Sequence, residues 1–137
     1  MEAMILAAGM GTRLMPLTKD KPKALVEVAA CTLLERNIRK MISFGIKHIV
    51  INTHHFPKQI HEHVKRKQYH ADIYFSDEKE ELLDTGGGFL NAERYFTKTQ
   101  TILLHNVDII SDIDFKQLES QLQKEAALAL LCVSERQ

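Results

Sequence analysis

The 137-residue chain, with 45% hydrophobic residues, is long enough to bury one core, which favours a single domain over residues 1–137. Its 18 basic and 18 acidic residues cancel, so the charge balance gives no reason to expect nucleic acid or anionic lipid as a partner. No apolar run approaches the length of a membrane span, and the start of the chain lacks the pattern of a secretion signal. We therefore expect a cytoplasmic protein without a membrane partner.

The first predicted element is a buried strand over residues 4–8, MILAA. Gly9 and Gly11 follow at a spacing that lets bare backbone N–H groups close around an anion. Dinucleotide-binding folds and P-loops share this arrangement. The first requires a third small residue where Leu14 stands, and the second requires Gly-Lys-Ser or Gly-Lys-Thr, so both are disfavoured.

Two cations, Arg13 and Lys23, lie in a segment that Pro16 and Pro22 stiffen. Arginine offers a planar fork to several phosphate oxygens, whereas lysine is a compact point charge that fits beside a single phosphorus atom under attack. Neighbouring loop lysines such as Lys19 are interpreted as solvated charges. The segment therefore indicates nucleotide chemistry.

Residues 6–26 carry the pattern Leu-Ala-Ala-Gly-x-Gly-Thr-Arg-Leu-x-Pro-Leu-Thr-x-x-x-Pro-Lys-Ala-Leu-Val. This pattern resembles, without a break, the signature of the sugar-1-phosphate nucleotidyltransferases. The resemblance implies an α/β, Rossmann-like, mostly parallel sheet flanked by helices, of the nucleotide-diphospho-sugar transferase type. It implies Mg²⁺ as cofactor and transfer of a nucleoside monophosphate from an NTP to a sugar 1-phosphate, with loss of pyrophosphate. The implied nucleotide-binding residues are Leu6, Ala8, Gly9, Gly11, Thr12 and Arg13, with Arg13 and Lys23 as catalytic cations.

The middle of the chain alternates helix and strand. Apolar residues between 33 and 42 recur at helical spacing, and Gly45 can close that helix. Residues 48–52 predict a buried strand, 57–67 a helix and 71–75 another strand. This rhythm, with right-handed crossovers, predicts a mostly parallel sheet.

The cysteines and histidines receive no assigned function. The two cysteines lie far apart and form no Cys-x-x-Cys motif, so reduced thiols are expected. His61 and His63 would diverge on a helix, which favours solvated or capping roles. His54 and His55 follow a strand, and a minor alternative places them in the binding cleft.

Residues 84–88, DTGGG, predict a loop that enters an amphipathic helix. Three successive glycines are entropically costly and favour binding against the backbone. In the resembled family this loop contacts base and ribose, which implies Thr85, Gly86 and Gly87 as nucleotide contacts, and Glu78 is a further candidate. The form DTGGG looks most like uridylyltransferases acting on N-acetylmuramic acid 1-phosphate, a cell-envelope precursor, with guanylyltransferases acting on mannose 1-phosphate next.

Residues 101–108, TILLHNVD, predict an apolar strand that ends on a carboxylate, where open α/β sheets place ligands. The family's motif at this place is Gly-Asp with a Mg²⁺-coordinating aspartate, so the resemblance assigns the metal to Asp108. Val107 replaces the glycine, which keeps the carboxylate in register and removes a backbone freedom. Asp112 and Asp114 are better explained as caps of the next turn.

A last apolar strand is predicted over residues 127–133. Family members run longer, so the resemblance implies a truncated chain without the C-terminal sugar-binding part and the second metal ligand. An exposed sheet edge where the missing strands belong would favour a homo-oligomer. The alternative function is a non-catalytic nucleotide-binding or sugar-nucleotide-binding module with a regulatory or scaffold role, against which the joint presence of Arg13, Lys23 and Asp108 argues. A nicotinamide-dependent dehydrogenase ranks third.

Overall fold

The computed structural model describes residues 1–97 and 101–133. Its strands are β1 (Glu2–Leu6), β2 (Glu27–Val28), β3 (Cys31–Thr32), β4 (His48–Thr53), β5 (Asp72–Asp77) and β6 (Ile102–Asn106). Its helices are α1 (Leu33–Ser43), α2 (Pro57–Lys65), α3 (Asp84–Ala92) and α4 (Phe115–Glu125). The sequence predicts β1, β4, β5, β6, α1 and α2 correctly, with strand and helix ends shifted by a residue or two.

Four strands form one sheet in the order β5-β4-β1-β6, and every neighbouring pair is parallel. This arrangement confirms the mostly parallel sheet, and β2 pairs with β3 in a separate antiparallel ribbon. Leu6, at the end of β1, lies in register with Asn52 of β4 and Asn106 of β6. The carboxyl ends of the strands therefore meet at one edge, where two amide side chains flank the exit of β1.

Helices cover both faces of this sheet. Ala3 and Ile5 of β1 pack into the larger hydrophobic core with residues of α1, α2 and α4. Met4 packs on the opposite face with Val50 of β4 and Ala92 of α3. The strand is buried on both faces, as parallel sheets usually are, and it gives the segment after Leu6 a rigid base. No helix within the described residues is long and apolar enough to cross a bilayer.

Helix α1 is fixed at both ends and anchors a distant segment. Its N-cap residue, Thr32, accepts a hydrogen bond from the Glu35 N–H at 3.1 Å, and Gly45 follows its C-cap in the left-handed region at φ +85°. The amide of Asn37 donates to the carbonyl of Val107 at 2.8 Å. The turn that follows β6 is thereby held against the body of the domain.

The glycine-rich segment 84–88 is the first part of helix α3, so the loop predicted there is wrong. Tertiary packing overrides the poor helix propensity of glycine at this place. A Cβ atom on Gly88 would lie 2.7 Å from Glu78 Oε1 and 2.9 Å from Asn52 Nδ2, so the helix backbone rests directly on those two side chains. Gly88 allows a close helix–sheet contact rather than a flexible entry.

The strand predicted over residues 127–133 is also wrong, because the segment has no strand partner among the described residues. Most of its apolar side chains are exposed, and Leu128, Leu131 and Val133 each keep 83% or more of the accessible surface of a fully exposed residue. A strand gains most of its stability from cross-strand pairs, which this segment lacks. At the sheet edge, β6 exposes Leu104.

Candidate active site

The segment after β1 forms a backbone cradle. The chain leaves the sheet at Ala7, whose N–H donates to the side-chain oxygen of Asn52 at 2.7 Å instead of continuing the ladder. Gly11, at φ +68° in the left-handed region, then turns the chain into the short helical turn Thr12–Leu14. The hydroxyl of Thr18 donates to the Gly11 carbonyl at 2.9 Å and closes the loop. Such a succession of turns presents N–H groups to an anion.

Close packing as well as backbone conformation requires glycine at position 11. A Cβ atom there would lie 2.9 Å from the Cβ of Lys23 and 3.0 Å from the Cγ2 of Thr18. At Gly9 the space above the backbone is filled by the ammonium of Lys23, whose Nζ lies 3.5 Å from the position that a Cβ would take. The lysine thus lies directly over the cradle, as the sequence predicts for a phosphate-binding cation.

Lys23 also meets the candidate metal ligand. Its Nζ lies 3.0 Å from Asp108 Oδ2, with 16% of the lysine side chain and 39% of the aspartate side chain exposed. Lys23 is positioned by Pro22, which precedes the turn Lys23–Leu25. Asp108 is positioned by Val107, which is fully buried and donates its N–H to the carbonyl of Leu6 at 3.2 Å. Valine, at the position where the resembled family has glycine, therefore anchors the backbone beside the partly exposed carboxylate in the core.

Arg13 is exposed in the turn Thr12–Leu14 and does not line the 150 Å³ cavity described below. Within residues 1–97 and 101–133, no carboxylate forms an ion pair with its guanidinium. An exposed guanidinium at the mouth of an anion-binding loop is free to reach a ligand phosphate.

A cavity of about 150 Å³ brings part of the predicted site together. Its lining includes Leu6, Ala8, Gly9, Lys23 and Thr85 from the sequence-based prediction. The prediction missed four further lining residues, Asn52, Leu82, Asp84 and Asn106. The two asparagines occupy strand ends in register with Leu6, and a polar side chain at the carboxyl end of a parallel strand is the signal that could have found them.

Glu78 does not line this cavity and instead borders a second cavity of about 360 Å³. Its side chain is buried at 4% exposure; Oε1 accepts from Asn52 Nδ2 at 2.7 Å and Oε2 accepts from the Leu83 N–H at 2.9 Å. Its direct contact with a nucleotide stays a prediction. The same holds for Gly86 and Gly87, which lie in the first turns of α3.

Asp108 offers one carboxylate, a ligand of the type that Mg²⁺ prefers. No group of three metal-ligating side chains converges within the described residues. Magnesium, however, keeps several waters and is commonly held by one or two carboxylates together with substrate phosphates. Asp114, in contrast, caps α4 by accepting from the N–H groups of Lys116 and Gln117 at 2.8 and 3.0 Å, as predicted.

The predicted alternative of His54 and His55 in the binding cleft finds no support in the lining of the 150 Å³ cavity. His54 lies instead in the second, open cavity of about 360 Å³, together with His61 and Asp77. His61 Nε2 lies 3.0 Å from Asp77 Oδ1, and the ring of His55 packs against Phe56. Both cysteines are free thiols, as expected.

Residues 2–137 match the nucleotidyl transferase family. The chain belongs to this family. An N-acetylmuramate alpha-1-phosphate uridylyltransferase of Caulobacter vibrioides is 40% identical over 93 residues, which are 66% of this chain and 38% of that protein. A mannose-1-phosphate guanyltransferase of Hypocrea jecorina is 35% identical over 121 residues, which are 86% of this chain and 33% of that protein. The predicted membership is confirmed.

The nucleotidyl transferase fold is also confirmed by solved structures. HddC from Yersinia pseudotuberculosis, crystallised with GMP-PN, superimposes with a TM-score of 0.79 at 26% identity, over 88% of this chain and 53% of that one. The predicted α/β fold of nucleotide-diphospho-sugar transferase type is therefore correct. The chain spans between 33% and 53% of the length of these nucleotidyl transferase relatives.

Proposed function

We propose that the chain is the nucleotide-binding part of a sugar-1-phosphate nucleotidyltransferase. The observation that carries the proposal is the position of Lys23, which lies over Gly9 of the cradle and is ion-paired with Asp108. The backbone proposed to bind phosphate, the Lys23 ammonium and the carboxylate proposed to bind the metal thereby meet at the ends of β1 and β6. These are the groups that phosphoryl chemistry needs, since its catalysis is mostly positioning and electrostatic stabilisation.

The proposed reaction is an in-line attack by an oxygen of the sugar phosphate on the α-phosphorus of the NTP. The bond to the pyrophosphate leaving group breaks as the new bond forms. Backbone N–H groups from Ala8 to Arg13 hold the leaving pyrophosphate with the Arg13 guanidinium, and Lys23 neutralises charge that builds on the α-phosphate. No side-chain base is needed, because the attacking phosphate is already ionised. Asp108 would hold Mg²⁺, which supplies Lewis-acid neutralisation of the phosphate oxygens.

UTP with N-acetylmuramic acid 1-phosphate is the favoured substrate pair, and GTP with mannose 1-phosphate comes next. Support for this order comes from the DTGGG segment and from the higher identity to the Caulobacter uridylyltransferase than to the Hypocrea guanyltransferase. We assign no described residue to the sugar, and a C-terminal sugar-binding part stays a prediction. Cytoplasmic location and self-association stay predictions as well.

A non-catalytic binding module is the alternative. Such a module could lose the lysine or the aspartate without a penalty, whereas this chain keeps both and places them in contact at 3.0 Å. The geometry therefore favours chemistry over mere binding.

Thermal unfolding with millimolar UTP, GTP, CTP, ATP, dTTP or NAD, each with and without Mg²⁺, tests the proposal. Binding stabilises by mass action, by about 2.7 kcal/mol at a hundredfold excess over Kd. We expect a shift for one NTP that grows with Mg²⁺. No shift for any NTP from a folded chain would contradict the proposal, and tight Mg²⁺-independent binding of NAD would favour a dehydrogenase.

Turnover separates catalysis from binding. In an active form that also carries the predicted C-terminal sugar-binding part, we expect Lys23→Ala and Asp108→Ala each to slow pyrophosphate release by about 100-fold or more, as removal of a transition-state partner usually does. The matched control is Lys19→Ala, which removes an exposed lysine of the same loop. Losses within threefold for the first two variants would favour the non-catalytic module.

A further inference from the structure

We infer that Asn52 and Glu78 form a buried relay that fixes the phosphate cradle relative to the segment before α3. The phosphates of one nucleotide and its base and ribose are thereby held at the same time. This makes Asn52 and Glu78 positioning residues. The inference rests on the proposed function, since it concerns how the same site holds its NTP.

The relay begins where β1 ends. The N–H of Ala7 is the first one beyond the strand, and it donates to Asn52 Oδ1 at 2.7 Å. Asn52 is 2% exposed, so water cannot replace it as the acceptor. A buried N–H without a partner is costly, and this bond therefore fixes the direction in which the chain enters the cradle.

The relay continues through the amide to the carboxylate of Glu78. Asn52 Nδ2 donates to Glu78 Oε1 at 2.7 Å, and Glu78 Oε2 accepts from the N–H of Leu83 at 2.9 Å. Leu83 is the N-cap residue of α3. Three hydrogen bonds thus connect the first residue of the cradle to the start of the helix that carries Thr85.

The direction of each bond in the relay is determined by charge. Within the described residues, no cation lies within ion-pair distance of Glu78, so its buried carboxylate is satisfied by neutral donors. A flipped Asn52 amide would point its oxygen at the carboxylate and its NH₂ group at the Ala7 N–H. Only one orientation of the amide satisfies both of its partners, Ala7 and Glu78, which makes the relay stiff.

Helix packing holds the relay from the other side. A Cβ atom on Gly88 would lie 2.7 Å from Glu78 Oε1 and 2.9 Å from Asn52 Nδ2, so the α3 backbone is pressed against the bond between them. Asn52 also lines the 150 Å³ cavity, together with Gly9 of the cradle and Thr85 of α3. The relay therefore lies between the two segments to which the proposed nucleotide contacts belong.

An exchange of the two groups tests the inference without a change in net charge. Asn52→Asp alone would set two carboxylates against each other, and Glu78→Gln alone would leave one donor facing another. In the double variant Asn52→Asp/Glu78→Gln, the carboxylate at position 52 would accept from Ala7 and from the new amide, whose oxygen would accept from Leu83. All three hydrogen bonds of the relay would be restored, with donor and acceptor reversed only in the bond between positions 52 and 78.

The measurement is the affinity for UTP and for GTP relative to inorganic tripolyphosphate, by calorimetry on the whole chain with Mg²⁺. Tripolyphosphate has no base or ribose and occupies only the cradle. The ratio of the two affinities therefore cancels any general effect of the carboxylate moved to position 52 on phosphate binding. For the NTP that binds, we expect each single variant to lower the ratio about tenfold, the scale of a mispaired buried polar group. The double variant should return it to within threefold of wild type. The control Asn91→Asp changes an amide of α3 that bonds to Ser76 and should leave the ratio unchanged.

A purely structural role would lower thermal stability and leave the affinity ratio of the folded variants unchanged, and this outcome would overturn the inference. A double variant as weak as the single variants would overturn it too. If the single variants do not fold, the double variant decides alone: a folded protein with a wild-type ratio supports the relay, and an unfolded protein or a lowered ratio contradicts it. Wild-type protein that binds neither UTP nor GTP would instead refute the favoured and second substrates of the proposed function and, with them, the relay's role in holding an NTP.

Discussion

The ammonium of Lys23 lies 3.0 Å from the carboxylate of Asp108, which joins the glycine-rich segment at the start of the chain to the end of β6. Both residues are assigned to the phosphates of the same nucleotide, one as a cation and the other as a metal ligand. Without a nucleotide they neutralise each other. A divalent cation that bound Asp108 would therefore compete with the ammonium for the carboxylate, and a weakened ion pair would leave the lysine available to a phosphate.

Removal of this competing ammonium should strengthen metal binding to the nucleotide-free chain. For Lys23→Met we expect Mn²⁺ to bind about five- to tenfold more tightly, since a charge pair at this distance is worth roughly 1 kcal/mol or more near a protein surface. The number of free Mn²⁺ ions can be followed by electron paramagnetic resonance. Lys19→Met is the control for a general change in net charge, and Asp108→Asn should abolish the site. Equal affinity in wild type and Lys23→Met would show that the ion pair does not compete with the metal.

The sequence predicts the fold well where the local pattern of apolar residues and the burial of the element agree. Helix α1 has a regular apolar face and a Thr32 cap, and β4 is a short apolar run, so local signals and burial agree. Prediction fails at residues 84–88, because Gly88 serves a contact with Asn52 and Glu78 that lies outside any local window. It fails again at residues 127–133, where an apolar run has no strand partner among the described residues.

The candidate site shows the same division. Gly9, Gly11 and Lys23 belong to a contiguous signature, and the sequence alone predicts that they act together. The partnership of Lys23 with Asp108 requires the parallel register of β1 and β6, which a single sequence does not contain. Asn52 was missed for the same reason, since its importance arises from the neighbouring strand end.

Two glycines of α3 should respond oppositely to the same substitution. Gly86→Ala meets no atom within 4 Å, so it should stabilise the chain by roughly 0.5–1 kcal/mol through better helix propensity. Gly88→Ala would place a methyl group 2.7 Å from Glu78 Oε1 and should destabilise the chain by about 1–3 kcal/mol. Urea unfolding of both variants measures the difference. Equal effects would show that α3 does not rest on the Asn52–Glu78 pair.

Tyr69 carries a buried hydroxyl group without a hydrogen-bond partner in the described structure. Burial raises the pKa of Tyr69 to about 12, and the charge of Glu35 acts in the same direction. Tyr69→Phe removes the unsatisfied group and should stabilise the chain by up to about 1 kcal/mol at pH 7. Above pH 10 the unfolded state loses the phenolic proton first, so wild type should lose stability there and the variant should lose less. Tyr74→Phe, at a residue 40% exposed, is the matched control in denaturant unfolding, and a destabilised Tyr69→Phe would reveal a partner for the hydroxyl.

His105 should make the chain less stable in mild acid. Its imidazole is 8% exposed, lies edge-on to the ring of Phe115 at 5.8 Å, and has no hydrogen-bond partner on either nitrogen within the described residues. Burial lowers the pKa of His105 and outweighs the opposing effect of the Asn106 backbone; the charge of Lys40 adds to burial, and that of Asp108 opposes it. The folded state therefore holds the ring neutral at pH values where the unfolded state takes up a proton.

The sign of the pH dependence follows from that difference in proton uptake. Above about pH 6.5, the ordinary value for histidine, both states are neutral and the residue contributes no slope. Below it only the unfolded state is protonated, so the free energy of unfolding should fall, by at most about 1.4 kcal/mol per pH unit for this group. His105→Leu should reduce the loss of unfolding free energy between pH 7 and pH 5. His70→Leu removes an exposed histidine instead and should leave that loss unchanged. His63, whose pKa burial also lowers, should keep part of the slope in the His105 variant. An unchanged slope in His105→Leu would mean that the ring is protonated in the folded chain, with an acceptor that compensates its burial.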